Sequence, residues 1–148
     1  MKIDEFLALM QKDLLNEYKH MHFYMHASFI LKGPERLFAV PWLANQASEE
    51  MGHVRQFAEK ISAFGRIPVP PTAFEQPAYA KSFSDVLMYA LKLEEEVIVN
   101  YQDRLRQSEQ IFEDSGKNYD LVLFYEEQLE HSQADADEIV KLLGSARS

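Results

Sequence analysis

Residues 43–57 read LANQASEEMGHVRQF. Leu43, Ala47, Val54 and Phe57 recur at helical spacing, and the stripe continues to Ile61 and Phe64. Glu50 falls on that stripe, where an apolar residue belongs. A carboxylate in a core stripe is costly to bury unless something neutralises it. His53 follows Glu50 at i, i+3, which puts the two side chains on adjacent positions of one helix face. This stretch therefore reads as a helix with one buried face and a polar pair set into that face.

Working outward, glycine and proline divide the chain. Gly33-Pro34, Gly65, Gly116 and Gly144 read as helix stops, and all six prolines lie between 34 and 77. The expected helices are about 4–32, 36–64, 83–112 and 119–143. Their stripes run Met10, Leu14, Glu17, Met21, Tyr24, Ser28, Leu31 in the first and Phe83, Leu87, Ala90, Glu94, Val97, Tyr101, Leu105 in the third. In the fourth the stripe runs Leu121, Tyr125, Gln128/Leu129, Ser132, Ala136, Ile139 and Leu142/Leu143. Pro41 is expected in the first turn of the second helix. The stretch GRIPVPPTAFEQPAYAK, residues 65–81, lacks helical periodicity and is long enough to cross the length of a domain. Ser82 with Asp85 forms a capping-box pattern, and Asn118 or Asp120 is placed to cap the fourth helix. The expected fold is all-α: one domain over residues 1–148, an antiparallel four-helix bundle with a long crossover between helices two and three.

Glu17, Glu50 and Glu94 each interrupt an apolar stripe near mid-helix, so antiparallel packing brings them to one height in the bundle. Gln128 and His131 stand to their stripe as Glu50 and His53 do to theirs, so helix four repeats helix two with glutamine in place of glutamate. Oxygen and imidazole donors without thiolates suit iron or manganese. The chain has no cysteine, which removes disulfides, thiolate-ligated zinc and covalent c-type haem. Its formal net charge of -9 with no Lys/Arg cluster argues against nucleic acid and makes cations the natural partners. The N-terminal stretch lacks a signal-peptide pattern, and no run of about 18 apolar residues exists to span a membrane. A soluble, cytoplasmic protein is expected.

On these residues the chain resembles the ferritin-like superfamily, closest to non-haem bacterial ferritins and bacterioferritins, from about residue 4 to 143. Glu17, Glu50, His53 and Glu94 match the family's ligand pattern by type and order. Tyr24, seven residues after Glu17, matches the tyrosine beside the ferritin iron site, and Gly65-Arg66-Ile67-Pro68 resembles the ferritin connection. There are departures. Gln128 with His131 mixes the non-haem ferritin and bacterioferritin patterns, which leaves Glu127 or Glu130 as a source of the remaining carboxylate. The chain stops at Ser148 without the short fifth helix of cage-forming ferritins, and no cysteine-bearing rubredoxin domain follows.

The resemblance implies two iron ions, with manganese as the other candidate, held by Glu17, Glu50, His53, Glu94, Gln128, His131 and Glu127. Glu50 and a fourth-helix residue bridge the irons, and His53 and His131 bind one each. The implied reaction is oxidation of Fe2+ by O2 or H2O2, serving iron storage or detoxification, with Tyr24 supplying an additional electron. The alternatives are a rubrerythrin-like di-iron peroxidase or oxidase without storage, and a structural or iron-binding bundle without catalysis. Met51 matches the haem-ligand methionine of bacterioferritin, but haem is not expected. His22 and His26, at i, i+4, read as a surface or subunit-facing pair. At least a homodimer is expected, with His22, Phe23, Phe29 and Trp42 as contributors.

Overall fold

The computed structural model describes residues 1–74 and 82–147. The second half of the crossover, with Pro77, lies outside the described residues. Four α-helices and no strand occur among the described residues: α1 (Ile3–Ile30), α2 (Arg36–Ala63), α3 (Phe83–Ser115) and α4 (Tyr119–Leu142). No helix among them is long and apolar enough to cross a membrane. The chain divides into two compact units, Leu7–Val86 and Met1–Phe6 with Leu87–Ser148.

In the first of these units α1 and α2 form an antiparallel hairpin. Its register follows from two contacts: Tyr24 meets Trp42 edge-on at 6.1 Å between ring centroids, and Glu17, two turns earlier, meets His53 at 3.6 Å. The hairpin turn is fixed at both ends. Gly33 supplies a left-handed residue (φ +92°), and Arg36 donates from its guanidinium to the Ser28 and Leu31 carbonyls, which lack partners at the end of α1. Pro41 lies inside α2, in its second turn rather than its first, because the helix already starts at Arg36. The carbonyl four residues before it belongs to Leu37, 88% exposed, where water replaces the missing N–H.

At the other end of α2, Gly65 adopts φ +77°; its N–H donates to Ser62 O at 2.9 Å and that of Arg66 to Ile61 O at 3.3 Å, a Schellman ending. The crossover then runs back along α1. There the Gln11 side chain pairs with its backbone on both sides, donating to Ile67 O at 2.7 Å and accepting from Val69 N–H at 3.1 Å. At the start of α3, Ser82 Oγ accepts from Asp85 N–H at 3.1 Å, the N-cap half of the expected capping box, and donates to the Asp85 carboxylate at 2.8 Å. Glu35 adds a carboxylate that accepts from Phe83 N–H at 3.0 Å.

In the other unit α3 and α4 are antiparallel, since Tyr101 packs edge-on to Tyr125 (5.6 Å) while Phe112 meets Tyr119 (5.0 Å) near the turn. Phe6, from the first turn of α1, also packs edge-on to Tyr125, at 5.6 Å. Asn118 begins α4 in the left-handed region (φ 69°), and its backbone carbonyl, rather than its side chain, accepts from Leu121 N–H.

The core of the α1–α2 unit contains Leu14, Leu43, Phe57 and Ile61, each at most 1% exposed. Phe57→Ala is expected to cost about 3–5 kcal/mol, through lost transfer energy and the cavity left behind. Leu37→Ala, at a fully solvated position, should change stability by less than about 0.5 kcal/mol. Denaturant unfolding of both variants checks the contrast.

Candidate metal centre

The hairpin register sets Glu17 of α1 opposite Glu50 and His53 of α2. Both carboxylates are almost fully buried, at 3% and 2% exposure, and one donor atom from each of the three side chains lies within 4.8 Å of the others. His53 Nδ1 is 3.3 Å from Glu50 Oε2, within hydrogen-bond range, and 3.6 Å from Glu17 Oε2, an ionic rather than hydrogen-bonded approach. The i, i+3 spacing of Glu50 and His53 puts both donors on the face turned toward α1.

Glu17 stays ionised in this setting. Burial pushes its pKa upward, but the close approach of His53, a hydrogen bond from Glu50 and the nearby charges of His20 and His53 outweigh burial and hold it down at about 2. A hydrogen bond between two carboxyl groups requires a proton between them. The same space suits a cation, which would neutralise both groups at once. Two oxygen donors and an imidazole also fit iron or manganese by type.

Tyr24 is buried (1%) two turns along α1 from Glu17 and lies between the rings of Phe23 and Trp42. The remaining expected ligands belong to the α3–α4 unit. Glu94 and Gln128 are buried there at 1% and 2%; His131 is half-buried and Glu127 exposed. Phe23, expected at a subunit contact, is instead 2% exposed and packs in the core. His22 and His26 are half-buried and stacked at 5.8 Å, with Phe74 of the crossover lying flat on His22 at 4.3 Å. Burial and the neighbouring His26 lower the His22 pKa.

Sequence reasoning missed His20. It is 2% exposed, and one of its ring nitrogens lies within 4.8 Å of a Glu50 carboxylate oxygen. The signal was present: Glu17-Tyr18-Lys19-His20 repeats the Glu-x-x-His spacing of Glu50 and His53.

Folding linkage gives the sign of the pH dependence for the metal-free protein. Glu17 is held below its ordinary 4.5, so its contribution to stability is present above that pH and is lost as pH falls toward about 2. Acid unfolding of the metal-free chain should steepen over this window, and Glu17→Gln should flatten it.

A family model for the ferritin-like domain matches residues 7–146. Among solved structures, the chain is similar to the crystal structure of a ferritin-like, diiron-carboxylate protein from Bacillus anthracis strain Ames. The two share 27% sequence identity over 97% of this chain and 99% of that one, with a TM-score of 0.81. No curated protein matches the sequence. The fold is all-α and ferritin-like. With the domain model spanning nearly its whole length, the chain belongs to the ferritin-like family.

Proposed function

We propose that this chain is a ferroxidase: it takes up Fe2+ at the Glu17–Glu50–His53 cluster and oxidises it with O2 or H2O2. The observation that carries this reading is the convergence of two buried carboxylates and an imidazole within 4.8 Å on facing helices. Family membership supports it, as does the description of the Bacillus anthracis relative as a diiron-carboxylate protein. Glu94 and Gln128, buried polar residues of α3 and α4, complete the ligand set in this reading, with His131 and Glu127 as further donors. Iron is substrate as well as occupant. Each Fe2+ gives up one electron, and two of them with two protons reduce one H2O2 to two waters.

The residues have distinct tasks. Glu17, ionised at neutral pH, attracts the cation and is ready to ligate without first losing a proton. Glu50, within reach of both Glu17 and His53, would be the bridging group, and it must be deprotonated to ligate. His53 supplies a nitrogen donor, which must be unprotonated to ligate, and in the metal-free chain its Nδ1 holds the Glu50 carboxylate at 3.3 Å. The apolar walls, including Leu14, Val54 and Phe57, limit water around the acids. In this reading Tyr24, two turns along α1 from Glu17, supplies one further electron and a proton. Storage or detoxification of the oxidised iron, a cytoplasmic location and assembly into at least a dimer belong to the same reading. Exposed Phe29 (68%) is apolar surface for such an assembly.

Anaerobic Fe2+ titration followed by an O2 pulse tests the proposal. Saturation at two irons per chain and rapid ferric absorbance are expected. Glu50→Ala should weaken uptake by at least about 100-fold while helix content is retained. A protein that takes up no iron would be a structural bundle, and one that oxidises two irons but never accumulates more would be an oxidase without storage. Loading should release protons, so affinity rises with pH; calorimetry in buffers of different ionisation enthalpy measures the number released.

A further inference from the structure

We propose that His20 is a metal ligand, so that the α1–α2 hairpin alone presents a four-residue set: Glu17, His20, Glu50 and His53. This rests on the metal-binding reading of the cluster and goes beyond it in naming a donor outside the ligand pattern expected from the sequence.

Three observations converge. His20 is 2% exposed on α1, so its ring lies almost wholly out of water. Its direction is fixed by the helix: three residues after Glu17, it stands on the same face and repeats the Glu50–His53 spacing. Its surroundings are acidic. A ring nitrogen is within 4.8 Å of a Glu50 oxygen. Glu50 therefore has two imidazoles near it, His53 at 3.3 Å and His20 within 4.8 Å.

The spacing suits a shared cation. Metal bonds of about 2.0–2.2 Å put two donors of one ion no more than about 4.4 Å apart, close to the 4.8 Å within which these donors lie. The two Glu-x-x-His pairs meet at Glu50, which belongs both to the Glu17–Glu50–His53 group and to the group that holds His20. Two nitrogens from α1 and α2 mean that coordination does not depend on His131 of α4 for its second imidazole. A second nitrogen also shifts preference from Mn2+ toward later first-row ions.

Zn2+ is the probe, because it binds without redox chemistry. Calorimetric titration of the full chain should show His20→Gln weakening at least one Zn2+ equivalent by about 10-fold or more, with His131→Gln changing it less. In the wild-type chain, long-range 1H–15N spectra of the five histidines should show a His20 ring nitrogen moving on Zn2+ addition to the position of a metal-bound nitrogen, as for His53. An unchanged His20→Gln isotherm overturns the proposal. So does a His20 resonance that stays in place while that of His53 moves; this decides the matter even if the variant fails to fold. If wild-type protein binds no Zn2+ and no Fe2+, the metal-binding reading itself falls, and this inference with it.

Discussion

Everything near the centre of the α1–α2 hairpin follows from placing two carboxylates where water does not reach. Glu17 and Glu50 are 3% and 2% exposed among Leu14, Leu43, Val54 and Phe57. Desolvating a carboxylate costs several kcal/mol even after relaxation, and the structure meets that cost by clustering. Imidazoles approach the acids from both helices. These contacts still leave negative charge in a low-dielectric setting, for which a divalent ion would be a better counter-charge. Function in this fold thus grows out of a stability problem.

The hairpin answers the geometric half of that problem. An i, i+3 pair places two donors on one helix face, and antiparallel packing brings a second pair to the same level. The turn, with Gly33 and the Arg36 guanidinium on the last carbonyls of α1, sets the register. A slip of one residue would rotate every donor by about 100°. The Gly65 ending and the clip made by Gln11 then direct the chain back along α1, leaving the donor face to the interior.

Much of this was legible in the sequence because helix punctuation is local chemistry. The four glycines read as helix stops all have positive φ, and Ser82 caps α3 through Asp85 N–H. The buried positions of Glu17, Glu50, Glu94 and Gln128 followed from periodicity. What escaped depends on the width of the buried arc. A single stripe takes one residue per turn, whereas α1 buries Asp13 beside Leu14 and Phe23 beside Tyr24, and at the turn between them it buries His20 in place of the expected Met21, which is only half-buried. His20 was also hidden in the run to His26, whose other two histidines, His22 and His26, are only half-buried. Which of two adjacent residues faces inward is decided by how helices pack, and that lies beyond what spacing alone encodes. Asn118 illustrates a different limit: its residue type suits a side-chain cap, yet the backbone carbonyl does the work.

Trp42 gives the hairpin a further property. It is the chain's one tryptophan, half-buried on α2, with Tyr24 edge-on at 6.1 Å and Phe83 at 5.9 Å. All indole fluorescence from the molecule therefore originates in one place, where α1, α2 and the first residue of α3 meet. A tyrosine at that distance passes its excitation to the indole, so light absorbed beside the acid cluster leaves through Trp42. The protein carries a built-in optical reporter two helical turns from Glu50, sensitive to the hairpin's register and needing no label.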